Sequence, residues 1–152
     1  MMWTVLLGTL LAPANADLPL EVIGRLAEPS IREASGIVAS RRHPGVFWVH
    51  NDSANPPRLF AVDARGSLIR QYALNVPNVD WEDLAIDSRG HLFLGDIGNN
   101  DARLPLRVIH QLDEPDPTTP LESRRSGVPS FRVTTSSYYR FGETGRFDAE
   151  DW

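Results

Sequence analysis

From Asp80 to Asp101 the chain carries Asp80, Glu82, Asp83, Asp87, Asp96 and Asp101, interleaved with Leu84, Ile86, Leu92 and Leu94. Carboxylates this dense among strand-forming residues can hold a hard cation, position a water molecule or brace backbone turns. Glu33 and Asp52 stand in similar surroundings upstream. Glu150 lies in "DAEDW" (148–152), which echoes "DWEDL" (80–84). Side-chain carbonyls of Asn51, Asn99 and Asn100 add neutral oxygens, and Ca²⁺ takes six to eight oxygen ligands. The candidate metal ligands are therefore Glu33, Asp52, Glu82, Asp96, Asn100 and Glu150, with Ca²⁺ as the cation. Glu82 and His50, the latter beside Asn51 and Asp52, are candidate catalytic bases. The structural alternative for His50 is a satisfied histidine at a strand end.

Two carboxylates about 4 Å apart repel by roughly 4 kcal/mol at an effective dielectric near 20. Three compensations are open: a cation, pairing with Arg32, Arg58 or Arg103, or backbone N–H bonds that lock neighbouring segments together. Other chemistries find no motif. "DIGNNDAR" (96–103) departs from an EF-hand loop at positions three, six and twelve, where Gly98, Asp101 and Arg107 stand. His43, His50, His91 and His110 form no H-x-H or H-x-x-x-H pair of the kind zinc favours. No G-x-S-x-G elbow, Walker loop or dinucleotide fingerprint occurs. The aromatics, Trp48, Phe60 and Phe93 among them, read as packing; Trp81, next to Glu82, has a second reading as a stacking platform.

The elements that must position these groups are short and β-like. Apolar runs at 35–40, 46–51, 58–63 and 68–74 are separated by turn formers, and runs at 84–88, 91–96, 106–112 and 130–141 follow. The two groups repeat one formula: "VDARGSL" (62–68) and "IDSRGHL" (86–92). Asp opens such a turn and Gly closes it in the left-handed conformation. The Pro- and Ser-rich stretch 113–130 reads as a long loop or insertion. Four strands per roughly 45 residues is the period of a propeller blade. The fold expected is all-β: about two four-stranded blades plus flanking strands, "EVIGRL" (21–26) among them, of an incomplete β-propeller ring. A self-contained sandwich or barrel of eight or nine strands is the alternative. In a blade, the residue before the first strand and the residue after the second lie at one end, which pairs Glu33 with Asp52 and Glu82 with Asp96.

"EASGIV", "WVHNDS", "RLFAVDARG", "VDWEDLAID", "GDIGNN" and "FDAED" resemble a group of exported bacterial β-propeller proteins of mostly unknown function. That group is loosely similar to the esterase-like phytase propellers and to six-bladed calcium-dependent propellers. The resemblance runs from about Ile31 to Trp152. It implies a ring that continues through further blades, and a channel mouth that this segment supplies only in part.

The first sixteen residues, "MMWTVLLGTLLAPANA", contain an apolar run and end in the small-x-small pattern of a signal-peptidase site. They are expected to be a cleaved secretory signal, leaving 17–152 as the N-terminal part of a secreted or periplasmic propeller domain without a membrane span. A net charge of −5 argues against a nucleic-acid partner. The absence of cysteine removes disulfides and thiolate chemistry. The first expectation is thus a binding or interaction module whose acidic channel mouth takes a small molecule or a protein ligand. The second is a metal-dependent phosphoester or ester hydrolase, in which a bound cation activates water.

Overall fold

A computed structural model describes residues 21–99, 106–119 and 127–140, and these contain strands and turns but no helix. Accordingly, no helix among the described residues is long and apolar enough to cross a membrane. The strands are β1 (Ala34–Ala39), β2 (Val46–Asn51), β3 (Arg58–Asp63), β4 (Leu68–Leu74), β5 (Trp81–Ile86), β6 (His91–Asp96), β7 (Leu106–Asp113), β8 (Ser130–Phe131) and β9 (Thr135–Arg140). They make two sheets, one in the order β1-β2-β3-β4-β8 and one in the order β5-β6-β7-β9. Every neighbouring pair is antiparallel except the short parallel pairing of β8 with β4.

The repeated turn formula folds the same way twice. Asp63 Oδ1 accepts the amides of Arg65 and Ser67 at 2.8 and 2.9 Å, while Gly66 takes φ 84°. Asp87 Oδ1 accepts those of Arg89 and His91 at 2.8 and 2.9 Å, with Gly90 at φ 82°. The backbone and side-chain bonds from His91, joined by the Arg89 amide, hold the Asp87 carboxyl at about 2, below its usual range. Donors aimed at an ionised carboxylate favour that form.

Period-two alternation gives each strand an apolar side, and the two sheets press those sides together. Trp48, Leu59, Ala61, Tyr72 and Leu74 of the first sheet meet Trp81, Leu84, Leu92, Leu94 and Leu112 of the second. Burying such a side chain contributes about 1.5–3 kcal/mol. The first sheet also carries an apolar opposite face, where Val49, Phe60 and Val62 pack with Ile31, Phe47 and Leu68. In this arrangement β1 lies alongside β5. The approach is close: a Cβ on Gly36 would land on the His50 ring and 3.0 Å from the Leu84 nitrogen. Ser35 Oγ donates across the seam to the Glu82 carbonyl at 3.0 Å.

At the opposite end from Glu82 the seam is closed by Glu114, a buried carboxylate just after β7. It accepts the Trp48 indole N–H at 2.8 Å, the Arg42 amide at 3.3 Å and the Ser40 hydroxyl, all from the first sheet. The start of the 113–130 stretch is thus docked rather than looped out. Pro115 and Pro117 are fully buried, and the Asp116 and Pro117 carbonyls accept Tyr72 Oη and Arg70 Nε, each at 2.9 Å.

Two expected elements differ. The run at 130–141 divides, because Val133 turns into the core and its amide is held by Asn75 Oδ1 at 2.7 Å. The chain thereby crosses from the first sheet (β8) to the second (β9). Residues 21–26 form no strand; the Arg25 amide donates to the Arg65 carbonyl at 2.9 Å beside the β3–β4 turn. The expected signal segment 1–16 lies outside the described residues.

Replacing Glu114 with Ala leaves the buried Trp48 indole N–H without an acceptor. Chemical denaturation is expected to show a loss of about 3 kcal/mol, with Glu114→Gln losing clearly less.

Candidate metal centre

The sheet register gathers the acids at one end. Ala34 faces Asn51 and Trp81 faces Asp96, so the residues entering β1 and β5 sit beside those leaving β2 and β6. The Asp52 amide donates to the Glu33 carbonyl at 2.8 Å, which fixes the first of these pairs. Asn78 ties the two sheets together here: its Nδ2 donates to the Asp52 carbonyl at 2.7 Å, and its Oδ1 accepts the Trp81 amide at 3.2 Å.

Within this end, among the described residues, three carboxylates converge. Asp52, Asp80 and Glu82 each place an oxygen within 4.8 Å of the others. A hard cation bound at about 2.4 Å spans such a separation, since its ligand oxygens can then lie up to twice that distance apart. Asp80 is buried, while Asp52 and Glu82 are half-buried, so an ion there would keep a side toward solvent. Gly98, arriving from β6, closes the floor. Its amide donates to the Asp80 carbonyl at 3.1 Å, and any Cβ would fall on Glu82 Oε1 and the Asp80 carboxylate. The donor set is all oxygen, which suits Ca²⁺, Mg²⁺ or Mn²⁺ and not a thiophilic metal.

Glu82 reaches the cluster through a β-bulge. Trp81 pairs with Asp96 and Asp83 with Gly95, leaving Glu82 as the extra residue between them. Bulges re-aim side chains in this way. The first sheet has the same bulge at Ser35, between the pairs Ala34–Asn51 and Gly36–His50. In register, then, Glu82 corresponds to Ser35 and Asp80 corresponds to Glu33. The expected equivalence of Glu33 with Glu82 is off by two positions. Asp80 was missed for that reason, although "DWED" displays both acids.

The same register explains Asp96. It corresponds to Asn51, and both side chains staple the loop that enters the first strand. Asn51 Oδ1 accepts the amides of Arg32 and Glu33 at 3.0 and 3.2 Å; Asp96 Oδ1 accepts that of Asp80 at 2.7 Å. Asp96 Oδ2 lies 3.8 Å from His110 Nε2, and Ser136 Oγ is 2.8 Å from His110 Nδ1. Asp96 is therefore turned into the sheet, holding Asp80 in place, and is not one of the converging acids. Glu33 also stands outside the triad: its Oε2 accepts Asn55 Nδ2 at 2.7 Å. Asn100 and Glu150 lie outside the described residues, as does Arg103.

His50 is sealed in the seam with none of its surface exposed. Its Nδ1 faces the Asn51 carbonyl at 3.0 Å, and its ring meets Trp81 edge-on at 5.8 Å. Nε2 is buried without a hydrogen-bond partner. A base in that position has no path to a substrate. Burial lowers its pKa below 6.5, against the opposing pull of the Asn51 and Asp83 carbonyls and the charges of Asp83 and Asp52. Trp81 is likewise fully buried, with Nε1 donating to the Pro77 carbonyl at 3.1 Å, so it is core and not a stacking platform. Of the arginines expected nearby, Arg32 and Arg58 are described and are engaged elsewhere: Arg32 Nε donates to the Pro29 carbonyl at 3.4 Å, and Arg58 Nη1 donates to Gln71 Oε1 at 2.9 Å.

Comparisons with protein-family models, with curated proteins and with solved structures returned no match.

The sealed imidazole sets a pH dependence. Since the unfolded chain takes up this proton first, its contribution to stability is intact above pH 6.5 and declines as pH falls through that value. NMR titration is expected to find the His50 ring neutral at pH 6.5, and an ordinary or raised pKa would contradict its burial.

Proposed function

We propose that this chain is part of an exported β-propeller binding module whose acidic rim holds a divalent cation, Ca²⁺ being the best fit to its oxygens. The observation that carries the reading is the convergence of Asp52, Asp80 and Glu82 from two different sheets. A cation there joins the sheets and offers its remaining coordination positions to a small-molecule or protein ligand. The propeller architecture draws support from two sheets of matching strand order, with the same bulge at Ser35 and Glu82 and the same loop staple at Asn51 and Asp96. Further support comes from the first sheet, which is apolar on both faces. A simple sandwich leaves its outer faces polar, whereas a sheet flanked by neighbours on both sides does not. Export is inferred from the apolar start and the Ala14-Asn15-Ala16 pattern.

Calcium is expected to raise the melting temperature and a chelator to reverse the rise; a cation at about 100 times its Kd stabilises by about 2.7 kcal/mol. Insensitivity to both would remove the cation from the account.

Asp80→Asn and Glu82→Gln are each expected to weaken calcium binding by about tenfold or more, equivalent to at least about 1.4 kcal/mol. Gly98→Ala should do the same by driving the two carboxylates apart. Glu33→Gln, outside the triad, should bind calcium within about twofold of the unaltered chain, a difference of less than about half a kcal/mol. Calorimetry reads all four. A binding module releases no phosphate from phosphomonoesters with or without calcium; calcium-dependent turnover lost in Glu82→Gln would instead establish the hydrolase.

A further inference from the structure

A second feature of the same end carries the opposite charge. Ser30, Arg32, Asn51, Asn55, Pro56 and Arg58 line a cavity of about 250 Å³ between the loop entering β1 and the loop joining β2 to β3. Two arginines line this space in a chain whose net charge is −5. Neither is paired with a carboxylate among the described residues. Arg32 makes one long bond to the Pro29 carbonyl, at 3.4 Å, and Arg58 one bond to Gln71, at 2.9 Å. Each guanidinium has five N–H donors, so most of that capacity is unspent.

The rest of the lining is already satisfied and holds the walls still. Asn51 spends its side chain on the Arg32 and Glu33 amides and, at 2.8 Å, on the Ser30 carbonyl. Asn55 Nδ2 is divided among the Glu33 carboxylate and the Asp52 and Ser53 carbonyls, at 2.7, 3.3 and 3.0 Å. That first bond also occupies the Glu33 carboxylate. The hydrogen-bonding capacity left in the lining for an incoming group is therefore that of its two arginines, Arg32 exposed and Arg58 half-buried.

We propose that this pocket is an oxyanion site, taking the phosphate or carboxylate group of a ligand. The planar fork of arginine matches either group with two parallel hydrogen bonds, and the charge strengthens both. The volume suits one such group, since pockets for whole drug-sized ligands run from about 300 to 1,000 Å³. The site stands on its own residues and does not require the cation, although both use the loop from Asp52 to Asn55.

The test uses the full chain in excess chelator at constant ionic strength, titrated with inorganic phosphate and separately with acetate while amide NMR shifts are followed. Saturable shifts centred on Ser30, Arg32 and Asn55 are expected with at least one anion, and which anion saturates identifies the group recognised. Arg32→Gln, which forfeits one weak contact, should fold normally and weaken binding by about tenfold, the share of one charge-assisted hydrogen bond. Arg58→Gln should weaken it comparably, and Arg58→Lys, which keeps the charge without the fork, by less. Shifts that never saturate, or spread equally over Arg41, Arg65 and Arg89, overturn the proposal. So does unaltered affinity in well-folded Arg32→Gln.

Discussion

The closeness of β1 to β5 is the constraint from which the site follows. Two sheets with large apolar sides, led by Trp48 and Trp81, gain most by excluding water between them. They come this near only because Gly36 presents no side chain to the His50 ring or to the Leu84 nitrogen. That contact sets the first strands of the two sheets side by side. Whatever leaves β2 must then lie near whatever enters β5. Asp52 meets Asp80 and Glu82 as a consequence of core packing, not of any attraction among three like charges. Glu114 holds the far end of the seam by capping the Trp48 indole. Asn78 holds the near end by spanning Asp52 and Trp81.

The two sheets are copies in their framework and different in their chemistry. Both enter the first strand through a loop stapled by a side chain from the end of the second, Asn51 in one and Asp96 in the other. Both bulge one residue into that strand. At the bulge the first copy places Ser35, which bonds across the seam, and the second places Glu82, which points an acid at the rim. Two residues earlier stand Glu33 and Asp80. The cluster thus takes both rim positions of the second copy and only Asp52 from the first, while Glu33 is bonded to Asn55. The neighbouring pocket of Arg32 and Arg58 gives the same end of the first sheet a contrasting, cationic surface.

Much of this was legible in residue order. Alternation marked the strands, and the twin Asp-x-Arg-Gly turns identified the repeat because each needs its Asp acceptor and its left-handed Gly. That acids would gather at one end followed from antiparallel hairpins alone. Which acids would converge did not, because the equivalence is set by strand register: Ala34 opposite Asn51 matches Trp81 opposite Asp96, which makes Asp80 and not Glu82 the counterpart of Glu33, and composition leaves no mark of that alignment. Asp80 was passed over and Asp96 overvalued on that account. Ligand-like residue types also concealed structural work: Asn51, Asp96 and His50 each look chemical, and each is consumed by a local hydrogen bond or by burial in the seam. The role of Glu114 was hidden inside a Pro-rich stretch that resembles a loop. Its partners, Ser40, Arg42 and Trp48, are distant in the chain and come together only through packing.

The proposed cation site draws its ligands from residues of both sheets and their flanking loops. Paramagnetic broadening of amide signals by substoichiometric Mn²⁺ tests this most directly, because the effect falls steeply with distance from the bound ion. With joint coordination, Ser53 after β2, Trp81 of β5 and Gly98 after β6 broaden together, ahead of exposed acidic positions such as Glu21 and Asp113. Broadening confined to one sheet, or spread evenly over surface carboxylates, would contradict it.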